Sequence, residues 1–128
     1  MQTLNEAVSE AVQELSVTKT RLELIHQLGK TCPTLSTPTA TRVMAQGEAD
    51  LFEALNALRA NQYDAAAVKL NDVITKVNYL SDTLANSLNP VLQPREQFAS
   101  SLKNMIYSVR RDLARSHTNA REYGARLQ

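Results

Sequence analysis

The sequence has no tryptophan, a single cysteine, three glycines and four prolines among its 128 residues. Aromatic residues are also scarce, with four tyrosines and two phenylalanines. Hairpins need turn-forming residues and strands favour aromatic side chains, so this composition disfavours a β-rich fold and points to helices. The length suits one domain over residues 1–128, built around a single hydrophobic core.

Features that would direct the chain out of the cytoplasm are also missing from the sequence. The lone cysteine, Cys32, has no intramolecular partner, so nothing requires an oxidising compartment. The N-terminus has no basic and apolar leader, and no apolar run approaches the ~18 residues that a membrane-spanning helix needs. We therefore expect a cytoplasmic protein that is not inserted in a membrane.

Charge of one sign is not in excess, because the net charge is only +1. The charges are unevenly distributed, however. Residues 1–94 carry 7 basic and 10 acidic groups, whereas residues 95–128 carry 7 basic and 3 acidic groups. The C-terminal quarter is therefore basic, which is typical of a solvated helix and also of a surface for an acidic partner or nucleic acid.

The first segment has the periodicity of a helix. Its apolar positions recur in alternating steps of four and three, which predicts a helix packed on one face. This seam comprises Leu4, Val8, Ala11, Leu15, Leu22 and Ile25, with the polar Thr18 at one step. A loop rich in proline and hydroxyl residues follows over 29–39, so the helix is predicted to end near Leu28. Thr37 is then a suitable N-cap, with Pro38 as the first residue of a second helix.

Three more segments share this periodicity. The second helix is predicted to run to about Ala60, and Asn61 is predicted to N-cap the third. Asn89 should end the third helix because the residue before proline avoids the α region. The fourth begins near Pro94. The three apolar seams are Met44, Gly47, Leu51, Ala54, Leu58; Ala66, Leu70, Val73, Val77, Leu80, Leu84; and Phe98, Leu102, Met105, Ile106, Val109, Leu113.

Short connections make consecutive helices neighbours, so the prediction is an all-α fold, an antiparallel bundle of four main helices. Gly47 and the small residues Ala65–Ala67 are predicted to let the second and third helices approach closely. The apolar pattern thins after His117, so fraying is expected over residues 118–128. A repeat array is disfavoured, because the hairpin around Asn61-Gln62 occurs once and a solenoid needs about three repeats.

Motifs that carry chemistry are missing. His26, Cys32 and His117 lack the close spacing of metal ligands. No catalytic triad or Gly-rich phosphate loop is present. The stretch around His26 has some likeness to a histidine phosphotransfer motif, but Gly29 and Lys30 are in the reverse order and Pro33 follows closely. We therefore predict no catalytic residues, no cofactor and no metal.

The stretch "RLELIHQLGKTCPTLSTPTATRVM" (21–44), followed by "LNALRANQYDAA" (55–66), resembles a helical domain found in two proteins. That domain is shared by steroid receptor RNA activator protein and the C-terminus of the COPII outer-coat scaffold subunit. Thr37 is an insertion relative to its Ser-Pro loop. The resemblance implies a non-catalytic protein-interaction bundle. The matching residues are Arg21, Leu22, Ile25, Leu35, Ser36, Pro38, Leu58, Tyr63 and Ala66.

The residues themselves favour the same function, a non-enzymatic adaptor, scaffold or structural subunit that presents helical faces to another protein or to a second copy. Anchors are predicted on the first or the fourth helix, with Leu15 and Leu22 as the residues on the first. Leu24 and Phe52 widen apolar faces in a way that favours self-association. Two alternatives remain: an export-type chaperone, and nucleic-acid binding through the basic fourth helix. The arginines predicted for that helix are Arg110, Arg111 and Arg115, with Tyr107 and Tyr123 interleaved.

Overall fold

The structure, a computed structural model, describes residues 3–87 and 94–126. Four helices account for most of them: α1 (Leu4–Gly29), α2 (Pro38–Arg59), α3 (Tyr63–Ser87) and α4 (Pro94–Arg126). Within these two ranges no strand is present, so the all-α prediction is confirmed. The predicted helix stop at Asn89 lies outside the described residues.

Each helix packs against its neighbours in sequence, and α1 closes the bundle against α4. Ion pairs show the direction of α2 and α3. Lys69 Nζ lies 2.9 Å from Glu53 Oε2, and Lys76 Nζ lies 2.5 Å from Asp50 Oδ2. The later residue of α3 meets the earlier residue of α2, so the two helices are antiparallel.

The same reasoning applies to α1 and α4. Arg21 Nη1 donates to Asp112 Oδ2 at 2.8 Å, and Tyr123 Oη donates to the carbonyl of Ala7 at 3.3 Å. These helices are therefore also antiparallel, and the predicted four-helix bundle is confirmed. The residues that form its fully buried centre are Leu15, Leu22, Ile25, Leu51, Leu58, Leu70, Val73, Leu80, Leu84, Leu102, Ile106 and Leu113.

The start of α2 follows the predicted capping chemistry. The Thr37 hydroxyl accepts a hydrogen bond from the amide of Ala40 at 3.2 Å, and Pro38 occupies the first helical position. Proline has no N–H, so Pro38 avoids a donor that would have no partner in the first turn of the helix. Thr3 caps α1 in the same way through the amide of Glu6.

Asn61 has a different role from the predicted one. Its φ is 60°, in the left-handed region, and it follows the C-terminus of α2. The Asn61 amide donates to Leu58 O at 3.1 Å and the Gln62 amide donates to Ala57 O at 2.8 Å. This pair of bonds is the Schellman motif, so Asn61 terminates α2 and does not N-cap α3. Asparagine tolerates the left-handed region, which explains why it suits either role in the sequence.

The C-terminal end of α4 is helical through Arg126. Ala120 is fully buried and Tyr123 is 6% exposed, with its ring 5.7 Å from that of Tyr63 in an edge-on contact. The thin apolar pattern is therefore enough to hold residues 118–126 against the bundle. Residues 127 and 128 lie outside the described residues.

Gly47 lies where α2 meets α3, as the small-residue pattern predicts. A Cβ at this position would meet only Lys76 Cβ, at 3.9 Å, which is an ordinary contact. Among the described residues, none of the helices combines the length and the apolar character needed to cross a membrane.

Candidate functional site

Leu15 and Leu22, the predicted partner anchors, lie inside the bundle. They are 0% and 1% exposed. Their side chains pack in the core and offer no surface to a partner in this conformation, which corrects the placement expected from the sequence. The reason is that the seam of α1 faces the interior of the bundle between α2 and α4, so its most regular apolar positions are used for folding.

Apolar side chains that α1 does expose lie outside that seam. Val17 is 51% exposed and Leu24 is 48% exposed. They are seven residues apart, so they lie about 20° apart around the helix and form one stripe. The exposure predicted for Leu24 is confirmed, and Val17 extends it.

Phe52, the other predicted surface residue, is 51% exposed on α2. It does not join the stripe on α1. The ammonium of Lys19 lies 5.8 Å from the centre of its ring, and Lys19 is about 200° from Val17 around α1. Phe52 therefore lies on the opposite side of α1, covered in part by a cation.

Two clefts follow the seam between α1 and α4. The first, of about 250 Å³, is lined by Ala7, Glu10, Ala11, Glu14, Asn119, Glu122, Tyr123 and Arg126. The second, of about 230 Å³, lies further along α1 and is lined by Glu14, Val17, Thr18, Arg21, Asp112, Arg115 and Ser116. Small and hydroxyl residues cause this looser packing, because Ala11, Thr18 and Ser116 are buried there in place of large apolar side chains.

The first cleft has a negative field. Burial raises the pKa of the Tyr123 phenol, and the carboxylates of Glu122, Glu14 and Glu10 raise it further, while Arg126 opposes them. Each carboxylate disfavours the phenolate through repulsion. Three glutamates against one arginine thus give this end of the seam a net charge of −2.

The second cleft has arginines on both sides of one carboxylate. Arg21 bonds to Asp112 at 2.8 Å, and Arg115 Nη2 lies 3.7 Å from the other oxygen of the same group. Arg111 is exposed one turn before Arg115 on the same side of α4. Three arginines against Asp112 and Glu14, which also lines this cleft, give this part of the molecule a net charge of +1.

The three arginines predicted to form a nucleic-acid surface do not share one face. Arg110 and Arg115 are five positions apart, which separates them by about 140° around α4. The Arg110 guanidinium lies 5.6 Å from the centre of the Tyr107 ring, and the ammonium of Lys103 lies 5.5 Å from it. Arg111 and Arg115 lie on the side of α4 that faces Arg21, whereas Arg110 lies on the side that carries Tyr107.

The histidines and the cysteine lie apart from one another. His26 Nδ1 is 2.9 Å from Glu48 Oε1 and joins α1 to α2, whereas His117 borders a depression between α3 and α4. Cys32 is buried in the loop after α1. Across residues 3–87 and 94–126, no group of three or more His, Cys, Asp or Glu side chains could hold a metal ion.

We call one surface the α1–α4 face. It consists of Glu10, Glu14, Val17, Arg21 and Leu24 on α1, and Arg111, Arg115 and Glu122 on α4. Of these residues, the two α4 arginines are predicted partner residues, and Leu24 is predicted to widen an apolar face. The seven-residue spacing of Val17 and Leu24 in the sequence is enough to predict the apolar stripe. No local pattern could have placed Glu122 beside Glu14, because that proximity depends on how α4 packs against α1.

Comparisons with known proteins return nothing for this sequence. No family model matches it, and neither the curated proteins nor the solved structures include a match. The resemblance to the helical domain of the RNA activator protein and the coat subunit therefore stays a prediction.

Proposed function

We propose that this bundle is a non-enzymatic interaction module that binds another protein chain through the α1–α4 face. One observation supports this most strongly. Val17 and Leu24 are about half exposed on a surface that also carries two clefts and opposite charges at its two ends. Exposed apolar side chains inside a charged rim are the usual composition of a protein-binding surface.

Binding would use an amphipathic helix laid along the seam. Val17 and Leu24 have the i and i+7 spacing that a partner helix recognises. Fully burying a side chain of this size stabilises a complex by about 1.5–3 kcal/mol. Since both residues are already half covered, each contributes less than that, and the charged rim would determine which partner fits.

The proposed function includes a role for the protein and a cellular location. A scaffold or adaptor role agrees with the resemblance to the helical domain of the coat subunit, and an export-type chaperone would use such a face for its client. A cytoplasmic location is supported by the lone cysteine, Cys32, whose side chain is buried. The large regular apolar positions are used for the core, which supports binding at the surface over chemistry in a pocket.

An affinity capture followed by mass spectrometry tests this function. The tagged protein should retain a stoichiometric protein partner, and Val17→Asp combined with Leu24→Asp should lose it, because two carboxylates would then be buried in an apolar contact. Val68→Asp is the matched control, since Val68 is 62% exposed on α3. Circular dichroism checks that all variants stay folded. Capture that is unchanged by the double variant would reject this face, and a copurifying metabolite with no protein partner would reject the function.

Nucleic-acid binding by α4 is the second candidate, supported by the cations around Tyr107. Tyr107 is 41% exposed between Lys103 and Arg110, so its ring could stack on a base while the cations neutralise phosphates. Replacing Arg110, Arg111 and Arg115 together should then abolish binding of labelled RNA or DNA. Wild-type affinity should fall steeply with salt. A control triple variant at the exposed Lys30, Arg42 and Arg59 should bind normally, and no wild-type binding at low salt would exclude this candidate.

A further inference from the structure

We propose that the chain that binds the α1–α4 face is a second copy of this protein, related by a two-fold axis that crosses the seam near Val17. This inference rests on the proposed function and names its partner. Three features of the face support it: the order of charges along the seam, the position of the exposed apolar residues, and the cleft between Ala7 and Tyr123.

Charge changes sign along the face. Glu10, Glu14 and Glu122 lie at the end where α1 begins, and the carboxylates act together on Tyr123. Arg21 and Arg115 converge on Asp112 further along, with Arg111 one turn away. The face is therefore a dipole, with a net charge of −2 at the first cleft and +1 at the second, and Glu14 lines both.

The dipole is self-complementary when a second copy is turned end for end. A two-fold axis reverses the direction of α1, so each negative end then lies opposite the positive end of the other copy. Glu10 and Arg21 are eleven residues apart, or about 16 Å along the helix axis. Their midpoint lies at residues 15 and 16, beside Val17, so an axis there brings Glu10 opposite Arg21 of the second copy.

The apolar residues fit the same register. Val17 lies next to the axis, so the two copies of this half-exposed side chain would contact each other. Leu24 falls eight to nine residues from the axis and therefore opposite Ala7 of the second copy. The first cleft is located there, and Ala7, Ala11 and Tyr123 line it together with charged side chains, so Leu24 would cover a cleft that is otherwise open to solvent.

A second copy explains the face better than an unrelated helix because every feature is used twice. Each Val17 contacts a Val17, each cleft receives a Leu24, and the two dipoles cancel. The stretch from Glu10 to Leu24 is about 21 Å long, which is at the small end of specific interfaces. We therefore expect a weak dimer whose affinity falls as salt screens the charges.

Charge-reversal variants provide the test, by sedimentation equilibrium at low and high salt. Glu10→Lys with Glu14→Lys gives both ends of the face a net positive charge, and Arg111→Glu with Arg115→Glu gives both ends a net negative charge. Each variant alone should be monomeric where the wild type dimerises, because like charges then meet, and its dissociation constant should rise by more than about tenfold. An equimolar mixture of the two variants should restore the dimer, since opposite faces then pair.

Two controls accompany this test. Arg42→Glu with Arg59→Glu changes the net charge by the same amount as the acidic variant, but on exposed positions of α2, and should leave the dimer intact. Val17→Cys should form a disulfide-linked dimer under mild oxidation because its two copies meet at the axis, whereas Val68→Cys should not. Circular dichroism shows whether each variant remains folded.

Several results would overturn the proposal. They are a monomeric wild type at high micromolar concentration and low salt, a variant mixture that stays monomeric, and charge-reversed chains that dimerise as well as the wild type. A monomeric wild type that still captures another protein, and loses it when Val17 and Leu24 are changed to Asp, would reject the second copy and leave the proposed function intact. Loss of both dimer and captured protein in the wild type would reject the two together.

Discussion

Asn61 carries the turn between α2 and α3 in a conformation that most residues avoid. Its φ of 60° costs an alanine about 1 kcal/mol, and its side-chain oxygen also accepts a 2.9 Å hydrogen bond from the Tyr63 hydroxyl. Asn61→Ala should therefore lower the free energy of unfolding by about 1–2 kcal/mol, measured by urea denaturation. Gln62→Ala, at the neighbouring exposed residue, should change it by less than about 0.5 kcal/mol. Equal effects of the two substitutions would refute this role for Asn61.

Gly47 is a helical glycine that the packing does not require. An added Cβ would meet Lys76 Cβ at 3.9 Å, so Gly47→Ala should gain helix propensity without a clash and stabilise the protein by about 0.5–1 kcal/mol. Gly29 is the matched comparison, because its Cβ would lie 3.3 Å from two atoms of Leu35 and force them to shift. Thermal unfolding should show a higher midpoint for Gly47→Ala than for Gly29→Ala. A lower midpoint than the wild type for Gly47→Ala would mean that close approach of α2 and α3 does need glycine.

Tyr123 makes the free energy of unfolding depend on pH in the alkaline range. Burial and the carboxylates of Glu122 and Glu14 raise its pKa in the folded state above the ordinary value of about 10. The folded state thus favours the protonated phenol, so this stabilisation is complete below the ordinary pKa and is lost as pH rises through the raised one. Tyr123→Phe keeps the ring and removes the titration. Unfolding measured from pH 8 upwards should show the difference between wild type and variant shrinking above the ordinary pKa, and a constant difference would contradict the linkage.

At the scale of the helix, α1 separates its folding residues from its surface residues. Leu22 is 1% exposed, so Leu22→Ala should lower the free energy of unfolding by about 2–5 kcal/mol through a cavity in the core. Val17→Ala should change it by less than about 0.5 kcal/mol, since Val17 is half exposed. In a partner-binding assay corrected for the fraction of folded protein, Val17→Ala should weaken binding more than Leu22→Ala. If Val17→Ala destabilised the protein as much as Leu22→Ala, the α1–α4 face would be part of the core.

The helices themselves could be predicted because their signals are local. The apolar period, the Thr37 cap and the prolines identify α1, α2 and the start of α4 from neighbouring residues alone. The candidate face could not be predicted in the same way. Leu22 and Val17 are both apolar residues of one helix, and which of them is exposed depends on the position of α4. The sequence does not show which helix Asn61 caps, because asparagine suits both an N-cap and a left-handed turn.

At the scale of the whole molecule, the bundle is not uniform in packing. α3 contributes fully buried residues along its length, among them Leu70, Val73 and Leu84, and it packs extensively against both α2 and α4. The seam of α1 with α4 contains both clefts and the buried hydroxyl residues Thr18 and Ser116. Fewer apolar contacts mean a lower free energy of local opening, so α1 should be the first helix to open.

Hydrogen exchange measured by mass spectrometry tests whether α1 opens before α3 and whether a second copy covers the α1–α4 face. In dilute protein, amides of residues 4–11 should exchange faster than those of residues 70–84, because Leu4 and Ala7 are only partly buried and Ala7 and Ala11 line the first cleft. Raising the protein concentration should then slow exchange in residues 10–24 selectively, since a second copy would cover that stretch, and leave α3 unchanged. The variant Arg111→Glu with Arg115→Glu should lose this concentration dependence while keeping the difference between α1 and α3. Equal exchange of the two helices at all concentrations would contradict both the loose seam and the covered face.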